Sequence, residues 1–567
     1  MRHYYRSSLI YFVLGVGLAF SCVVYFRATD PDFNFNFNFN FNRETSLTTT
    51  TATTAITSTT TSSTTTTTGT ISTNAMSKPV IVVGSGLAGL SAAHEALRAG
   101  ARVHMLERAA KPGGNSIKAS SGISGAGTRF QRDRGVADDT SGRFYEDSAR
   151  SAGARLHSSS PSSPMREAER RVLIEILTAR SAEAVEWLAD EIGVDMRTVA
   201  QLGGHSVART HRGASGPPPG AAIVGALVKK LSGDPRFTLS TEANVEGLVV
   251  SESETTKAVE GVRYASGDGE TRELRGPVVF ATGGFAGDAH GLLATHRPDL
   301  AGVPSTNDAR PASHGLLGAV RAALVDMDSV QIHPTGFVDP KDPAAAYKFL
   351  AAEALRGEGG ILLSADGRRF VNEMERRDVA SAAVMALPRN ETVEGTRQWD
   401  VTLLLDPGAC EAAASHLGFY VFKGLMRKTK VRDLPPAVIE AVDRYAAAVA
   451  AGRDDDFGRR AFGAWRLPPG EANRDEEVAV GTVTPVTHFT MGGVAFNERA
   501  EVLGLGGKGG EREEEEGAVA LAPVKGLWAA GEITGGLHGD NRLGGSSLLE
   551  CVVFGRIAGR EAAKSLD

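Results

Sequence analysis

The sequence predicts an α/β fold in which helices cover a parallel sheet. Residues 80–83 (V-I-V-V) are β-branched and apolar, and they lead directly into Gly84, Gly86 and Gly89. That order is typical of a buried first strand, a tight glycine turn and the start of a helix. Another apolar strand, at 277–285, ends in glycines and is expected to return to the same sheet. These features predict a Rossmann-like dinucleotide-binding domain.

Each residue of the glycine turn has a physical role in that prediction. Gly84 permits the turn, Gly86 lets the backbone approach a pyrophosphate, and Gly89 lets the helix pack closely on the strand. Free N–H groups at the helix start would then face the phosphates. A second strand at 102–106 ends in Glu107, a carboxylate at the position expected to bind a ribose hydroxyl. The alternative is a glycine-rich turn that binds no ligand.

Length and composition restrict the remaining possibilities. A chain of 567 residues exceeds the usual size of one domain. Its net charge of -6 argues against a general nucleic-acid binder. The three cysteines, Cys22, Cys410 and Cys551, form no C-x-x-C or C-x-x-C-H motif. The sequence therefore predicts no disulfide framework, no covalent c-type haem and no metal site.

The N-terminal part is expected to lie outside the folded enzyme. Residues 9–26 carry no charge and are rich in Leu, Val and Phe, so 1–27 is predicted to be a signal anchor or signal peptide. An uncleaved membrane anchor is favoured, because no convincing cleavage site follows. Residues 28–77, an F-N repeat and a Ser/Thr tract, predict a disordered low-complexity stalk. A start at Met76 would give a soluble form, and the compartment stays open between the secretory pathway and the mitochondrion.

The loop at 111–127 indicates which dinucleotide is bound. It consists mainly of small residues, and Ser116, Lys118, Ser120 and Ser121 could donate hydrogen bonds. Small residues let the backbone lie flat against a planar ring. A simple NAD enzyme would continue from the second strand into another crossover helix, whereas this chain enters a long loop. The order of these segments favours FAD.

The rest of the chain alternates between predicted helices and strands. Helices are expected at 167–190, 222–231, 434–451 and 548–559, strands at 237–239, 245–250, 258–264 and 401–405, a last strand with a glycine turn at 527–536, and a solvated loop at 501–517.

Seven sequence blocks occur in order between residues 80 and 551. They are V-I-V-V-G-S-G-L-A-G-L-S-A-A, P-G-G-N-S-I-K-A-S-S-G-I-S-G, Q-I-H-P-T-G, E-A-L-R-G-E-G-G-I-L-L, G-R-R-F-V-N-E-M-E-R-R-D-V-A-S, H-F-T-M-G-G-V and A-A-G-E-I-T-G-G-L-H-G-D-N-R-L-G-G-S-S-L-L-E. Together they resemble the fumarate reductase/succinate dehydrogenase flavoprotein family, and most of all its soluble flavocytochrome c-like or fungal-type branch. That resemblance implies an FAD-binding domain at 78–327 and 488–567, with an α+β capping domain inserted at 328–487.

The resemblance also implies the acid of the reaction. Arg377, in E-R-R-D-V-A-S, matches the active-site arginine that donates a proton to the substrate, and the neighbouring Arg376 does not. Glu353 and Arg356, in E-A-L-R-G, match a relay behind that arginine. They are three residues apart, so they share a face if the segment is helical. The alternative for Arg376 and Arg377 is a surface basic pair.

Three further residues match the substrate-binding positions of the family. His333 and His488 match two histidines that hold and polarise a substrate carboxylate, and Arg542 matches an arginine that clamps one. Arginine suits this role because its planar guanidinium contacts a carboxylate at two points. The family often has Thr where this chain has Ala352, so one hydroxyl contact to fumarate is missing.

By motif position, the FAD-binding residues are Gly84, Gly86, Gly89, Glu107, Asn115, Ser116, Lys118, Gly122, Ala281, Thr282, Glu532, Ser547 and Leu548. Membrane-complex members of the family attach FAD through a histidine near the S-I-K-A-S-S segment. This chain has no histidine between Glu107 and Arg150, which predicts non-covalent FAD.

The activity implied by the resemblance is reduction of fumarate to succinate, with hydride transfer from the flavin. The electron donor would be reduced FMN or FAD, or an external reductase. One alternative is a related flavoenzyme acting on another small carboxylate, such as L-aspartate oxidase or another unsaturated-acid reductase. Another is a membrane-anchored interaction protein in which the flavin fold serves only as a scaffold.

Overall fold

The computed structural model describes residues 78–136, 138–157, 165–251, 258–506 and 521–566. The predicted anchor at 1–27 and the predicted stalk at 28–77 lie outside these residues. Over the described ranges, no helix combines the length and the apolar character needed to cross a membrane.

The strands are β1 (Val80–Val83), β2 (Val103–Leu106), β3 (Ile123–Ser124), β4 (Thr198–Ala200), β5 (Thr210–Arg212), β6 (Phe237–Ser240), β7 (Asn244–Val250), β8 (Val259–Ala265), β9 (Thr271–Arg275), β10 (Val278–Phe280), β11 (Leu324–Val325), β12 (Val330–Phe337), β13 (Phe349–Leu350), β14 (Ile361–Leu363), β15 (Val401–Leu405), β16 (Arg427–Lys430), β17 (Glu477–Thr490), β18 (Gly493–Val494), β19 (Glu501–Leu505) and β20 (Leu521–Ala529). The helices are α1 (Leu87–Arg98), α2 (Arg129–Asp133), α3 (Ser141–Ala152), α4 (Glu167–Ala179), α5 (Ser181–Asp190), α6 (Pro219–Ser232), α7 (Leu292–His296), α8 (Glu353–Gly357), α9 (Arg377–Met385), α10 (Pro407–Ala412), α11 (Ala414–Phe422), α12 (Pro436–Ala451) and α13 (Ser546–Lys564).

A six-stranded sheet in the order β19-β20-β10-β1-β2-β6 contains the predicted first strand. The pairs β1–β2, β1–β10, β2–β6 and β10–β20 are parallel, and only the edge strand β19 is antiparallel. All four residues of β1 are buried, as expected for an apolar strand with both faces covered. The mixed α/β fold predicted from the sequence is therefore confirmed.

A second large sheet is entirely antiparallel, in the order β13-β12-β17-β15-β14, with β16 also paired to β17. Its strands lie between Val330 and Thr490, after β10 and before β19. The chain thus leaves the parallel sheet after β10, forms the antiparallel sheet, and returns at β19. All described residues belong to one compact unit, so the domain boundaries at 328 and 487 stay a prediction.

Two predicted elements differ from the structure. Residues 501–505, expected to be loop, form the edge strand β19, because Val502 and Leu503 are buried and Glu501–Leu505 pairs with β20. The remainder of that segment, 507–520, lies outside the described residues. The single helix expected at 167–190 is divided into two helices, α4 and α5. Arg180 is both the C-cap residue of α4 and the N-cap residue of α5.

Candidate active site

The glycine turn after β1 has the geometry that its sequence predicts. Gly84 has a φ of +100°, and a Cβ at this position would lie 2.4 Å from the Ala281 carbonyl oxygen. A Cβ at Gly89 would lie 2.0 Å from the Gly84 carbonyl oxygen, so the helix and the strand approach too closely for any side chain. A Cβ at Gly86 would meet only the Ser116 hydroxyl, at 3.5 Å. The backbone at Gly86 is therefore exposed to a ligand.

The loop predicted to wrap the cofactor lies against the start of α1. The Leu87 N–H donates to the Ser116 hydroxyl over 3.0 Å, and the Gly113 N–H donates to the Ser85 hydroxyl over 3.1 Å. Lys118 forms an ion pair with Asp308 at 2.7 Å. The Asn115 amide donates to Asn307. These contacts place the loop beside helix N–H groups that favour an anion.

Glu107 follows β2, as predicted, and its carboxylate is held by the backbone. The Ser85 N–H donates to it over 3.0 Å, and the Ala109 N–H donates over 2.8 Å. Each carboxylate oxygen can accept more than one hydrogen bond. Glu107 therefore keeps capacity for a ribose hydroxyl.

The carboxyl ends of the other parallel strands bring further predicted residues to the same place. Ala281 and Thr282 follow β10, Glu532 follows β20, and Ser547 and Leu548 lie in the first turn of α13. Burial raises the pKa of Glu532 to about 7, and this outweighs the hydrogen bond donated by the Thr490 N–H. In open α/β sheets, ligands bind at these carboxyl ends.

One cavity of about 470 Å³ joins these segments. Every predicted FAD residue except Gly89 lines it: Gly84, Gly86, Glu107, Asn115, Ser116, Lys118, Gly122, Ala281, Thr282, Glu532, Ser547 and Leu548. The glycine turn without side chains, the helix N–H groups and the carboxylate after β2 suit a dinucleotide. The residues present therefore fit FAD.

Three of the predicted catalytic and substrate-binding residues, Arg377, His488 and Arg542, line the same cavity. Arg377 is the first residue of α9 and only 5% of it is exposed, so it does not belong to a surface pair. Its Nε donates to Glu353 over 2.7 Å, and its Nη1 donates to the side-chain oxygen of Gln331 over 2.8 Å. The neighbouring Arg376 instead pairs with Asp378.

Glu353 and Arg356 lie on one short helix, α8, as their spacing predicts. Burial alone would raise the pKa of Glu353, but the charges of Arg377 and Arg356 hold it at about 2. The Gly203 N–H also donates to Glu353, over 2.8 Å. Glu353 is therefore an anion at neutral pH, between two arginines.

Arg356 is less closely tied to Glu353 than Arg377 is. Its Nη2 lies 3.9 Å from the Glu353 carboxylate, and its Nη1 donates to the Glu373 carbonyl over 2.6 Å. Within the described ranges, its Nε and Nη2 have no hydrogen-bond partner. Burial lowers the pKa of Arg356.

The two predicted histidines face each other, with ring centroids 5.3 Å apart. Burial, with the charge of Arg377, lowers the pKa of each well below its usual value, so both rings are neutral. His488 is hydrogen-bonded to Thr306 at 2.8 Å. His333 Nε2 has no partner in the described part of the chain, although the residue is fully buried.

A β-bulge explains how His488 reaches the cavity. Gln331 pairs with Phe489 and Ile332 pairs with Thr487, so His488 is an extra residue on β17. A bulge redirects the side chain of the residue that it inserts. His488 and Phe489 consequently both line the cavity, although they are adjacent in the strand.

Arg542 is buried and held on three sides. Its Nη2 donates to the Gln331 side-chain oxygen over 2.9 Å, and its Nη1 donates to the Leu543 carbonyl over 3.2 Å. Its guanidinium lies over the Phe489 ring, 4.3 Å from the centroid. Burial, with the charge of Arg377, lowers the pKa of Arg542 to about 9. Arg542 is therefore still charged at neutral pH.

Gln331, Phe489 and Thr306 are among the site residues that sequence reasoning missed. The side-chain oxygen of Gln331 accepts from both Arg377 and Arg542, and its amide donates to the Arg542 carbonyl over 2.6 Å. A signal was available, because residues two apart in a strand share a face and Gln331 is two before His333. We call Gln331, Glu353, Arg377 and Arg542 the arginine cluster.

Comparison with known proteins agrees with this geometry. The family described as "FAD binding domain" matches residues 79–548. The fumarate reductase of Schizosaccharomyces pombe is 38% identical, over 87% of this chain and 91% of that protein. Fumarate reductase 1 of Saccharomyces cerevisiae is 40% identical, over 86% of this chain and 98% of that protein.

A solved structure, the open conformation of a flavocytochrome c3 fumarate reductase, superposes with a TM-score of 0.63 at 29% identity. The match covers 86% of this chain and 78% of that one. FAD is the cofactor that the family match and the cavity both indicate. The chain belongs to the FAD-dependent fumarate reductase flavoprotein family.

Proposed function

We propose that this protein reduces fumarate to succinate with bound FAD. The observation that carries the proposal is the arginine cluster, in which Gln331 joins Arg377 to Arg542 at the wall of the FAD cavity. Two neighbouring guanidiniums and two neutral histidines suit a small dianion with a carboxylate at each end. The fumarate reductases related to this chain support the same substrate.

Arg542, His488 and His333 hold the substrate in this proposal. Arg542 binds one carboxylate at two points, since its guanidinium is held over the Phe489 ring and fixed by Gln331. His488 donates to the substrate through Nε2 and is oriented by Thr306 through Nδ1. His333 does not line the cavity but lies beside His488, with ring centroids 5.3 Å apart, and we assign its unpartnered Nε2 to the same carboxylate.

Arg377 donates the proton to the substrate carbon. FAD, when bound, supplies the hydride. An arginine is a weak acid in water, and Glu353 is an anion at rest, so Glu353 returns a proton to Arg377 through their 2.7 Å hydrogen bond only as it takes up a proton from Arg356. Arg356, beside Glu353, passes a proton toward it from outside the cavity.

Glu107 binds a ribose hydroxyl of FAD, and the glycine turn with Ser116 binds the pyrophosphate. We assign the other lining residues predicted above to the flavin and its linker. FAD is bound without a covalent bond. The two histidines that line the cavity support non-covalent binding, because each already makes a hydrogen bond within the protein. His416 is hydrogen-bonded to the Ser120 carbonyl, and His488 is hydrogen-bonded to Thr306. Acid precipitation should release all the flavin, and flavin retained on the pellet would refute the proposal.

Electrons reach FAD from reduced FMN or FAD, or from a reductase. Residues 1–27 anchor the protein to a membrane of the secretory pathway or the mitochondrion, residues 28–77 form a stalk, and a start at Met76 gives a soluble form. This part of the proposal rests on the sequence alone. Fractionation of cells with antibodies to the C-terminal region would test it, since an anchor requires the longer form to sediment with membranes.

The proposed reaction has a direct test. The full-length protein, loaded with FAD and reduced anaerobically by dithionite, should form succinate from added fumarate. The tests should also include other unsaturated acids with the reduced protein and L-aspartate with the oxidised protein, because Ala352 lacks the hydroxyl frequent in the family. Turnover of one of these compounds without turnover of fumarate would show that the substrate is not fumarate, and it would leave the assignment of the fold unchanged.

A further inference from the structure

A chain of hydrogen bonds runs from the arginine cluster to the end of helix α3. The Gln331 side-chain nitrogen donates to the Asn541 side-chain oxygen over 2.9 Å. The Asn541 side-chain nitrogen in turn donates to the Ser151 hydroxyl over 2.8 Å. All three residues are buried, and none of them lines the FAD cavity. Asn541 therefore supports the arginine cluster from outside the cavity.

The direction of this chain of hydrogen bonds is fixed at both ends. A guanidinium group only donates, so the side-chain atom of Gln331 that faces Arg377 and Arg542 is the oxygen. The Ser151 hydroxyl has one hydrogen, which it donates to the Asn541 backbone carbonyl over 2.8 Å. Ser151 can then only accept from the Asn541 side chain, so the oxygen of that amide faces Gln331. Each of the two amides thus has one orientation that satisfies its partners.

The far end of the chain of hydrogen bonds lies in a closely packed contact. The Asp540 N–H donates to the Ala152 carbonyl over 2.9 Å. A Cβ at Gly539 would lie 2.3 Å from the same carbonyl oxygen, so the loop before α13 packs directly on the end of α3. Helix α3 therefore fixes the position of Asn541, which follows in this loop.

Without Asn541, the Gln331 side chain would be fixed less completely. Its nitrogen would keep one acceptor, the Arg542 carbonyl at 2.6 Å. That carbonyl belongs to the same residue whose guanidinium Gln331 orients, so it is not an independent support. Asn541, through Ser151, is the partner that ties the Gln331 side chain to α3. Residues whose side chains are locked in this way keep a reaction site in its productive geometry.

We propose that Asn541 is a positioning residue for the reaction, which holds the Gln331 oxygen between the two arginines of the arginine cluster. This inference rests on the proposed function and explains how its two arginines keep a fixed separation. Arg377 donates a proton to the substrate whose carboxylate Arg542 binds, so a shift of either guanidinium should lower the rate. Ser151 supports Asn541 in turn.

A double-mutant cycle with Gln331 tests this role in the full-length, FAD-loaded protein. Asn541→Leu keeps the shape of the side chain and removes its hydrogen bonds, and it should lower kcat/KM for fumarate about tenfold with FAD content unchanged. In the Gln331→Leu background the same substitution should lower kcat/KM by less than about twofold, because the amide that it positions is already absent. A residue that serves only the fold would give the same loss in both backgrounds.

Ser151→Ala provides a second test that does not depend on the folding of Asn541→Leu. It removes only the hydroxyl behind Asn541 and should lower kcat/KM about threefold, with less than about twofold effect in the Gln331→Leu background. Ser148→Ala is the matched control on α3, because the Ser148 hydroxyl is buried and has no hydrogen-bond partner among the residues described. It should leave kcat/KM unchanged.

Anaerobic kinetics with dithionite as the reductant compare each variant with the wild type. Three results would overturn the role of Asn541: equal losses in the two backgrounds, wild-type kcat/KM in the Asn541 and Ser151 variants, or an equal loss in Ser148→Ala and Ser151→Ala. Absence of succinate formation in the wild type would instead refute the proposed function itself.

Discussion

The glycine turn after β1 and the two arginines of the arginine cluster line the same cavity, but the turn and the cluster are built in different ways. The turn itself spans only residues 84–89, and its key features are backbone N–H groups and missing side chains, although Ala281 and Ser116 pack against it from elsewhere in the chain. The cluster uses buried charged side chains from β12, α8, α9 and the loop before α13. Its hydrogen bonds join residues up to 211 positions apart.

The turn therefore serves to bind the cofactor, whereas the arginine cluster serves the reaction. Backbone donors bind phosphates whatever the reaction, so the turn supports many dinucleotide enzymes. Two buried guanidiniums beside one carboxylate cost free energy unless each is hydrogen-bonded, and Gln331 meets that need for both arginines. A change in the turn should therefore remove FAD, and a change in the cluster should leave FAD bound.

Gly84→Ala should have the largest effect on FAD. The new Cβ would lie 2.4 Å from a backbone oxygen at a φ of +100°, and we expect FAD affinity to fall by at least about 100-fold. Flavin content and titration with FAD measure this. Gly100→Ala is the control, because Gly100 has a φ of +94° with open space around it. Equal loss of FAD in both variants would contradict the role of close approach.

Gln331→Leu should weaken the arginine cluster and leave FAD binding at the glycine turn unchanged. It removes one acceptor from two charged donors, each such hydrogen bond contributing about 1.5–3 kcal/mol. We expect kcat/KM for fumarate to fall about 30-fold with FAD content unchanged. Steady-state kinetics and the absorbance of released flavin measure the two quantities. A loss below threefold would show that Gln331 does not join the two arginines in function.

Phe489→Leu should have a smaller effect, confined to substrate binding. It removes the ring beneath the Arg542 guanidinium, an interaction of about 1–2 kcal/mol when desolvated. The KM for fumarate should rise about fivefold while kcat changes little. Phe489→Tyr keeps the ring and should restore the KM. A fall in kcat alone would place Phe489 in another role.

Glu532 should make the free energy of unfolding depend modestly on pH. Its pKa is raised to about 7 from the usual 4.5, so the FAD-free protein holds a proton that the unfolded chain releases. Its contribution to stability is present below pH 4.5 and is lost as the pH rises through 7. Because the side chain also contacts cavity solvent, we expect a loss on the order of 1 kcal/mol. Glu532→Gln should flatten this slope in urea unfolding, and an unchanged slope would contradict it.

The sequence predicted the turn better than the cluster, for a physical reason. Strand, glycines and Glu107 are close in the chain, so their spacing is enough to predict their geometry. The contact between Gln331 and Arg542 joins residues 211 positions apart, and the bulge at His488 arises from the pairing of β12 with β17; the spacing of residues reveals neither. The residues Arg377 and Glu353 were found only because their flanking blocks resemble a family.

The edge strand β19 shows the same limit. The segment at 501–517 contains a long run of Gly and Glu, which suggested a solvated loop, yet Glu501–Leu505 pairs with β20. The strand E-V-L-G-L has Val502 and Leu503 in the core and pairs with β20, the next strand along the chain. The polar run that follows this short apolar stretch in the sequence led to the prediction of a loop.

The most direct test of this account is a single turnover with Arg377→Ala beside Arg376→Ala. Both variants should bind FAD, because neither substitution touches the glycine turn. After anaerobic reduction, fumarate should reoxidise the flavin of wild type and Arg376→Ala at similar rates, and that of Arg377→Ala at least about 1000-fold more slowly. Rapid reoxidation with succinate formation in Arg377→Ala would contradict the assignment of Arg377 as the acid, and with it the role of the cluster.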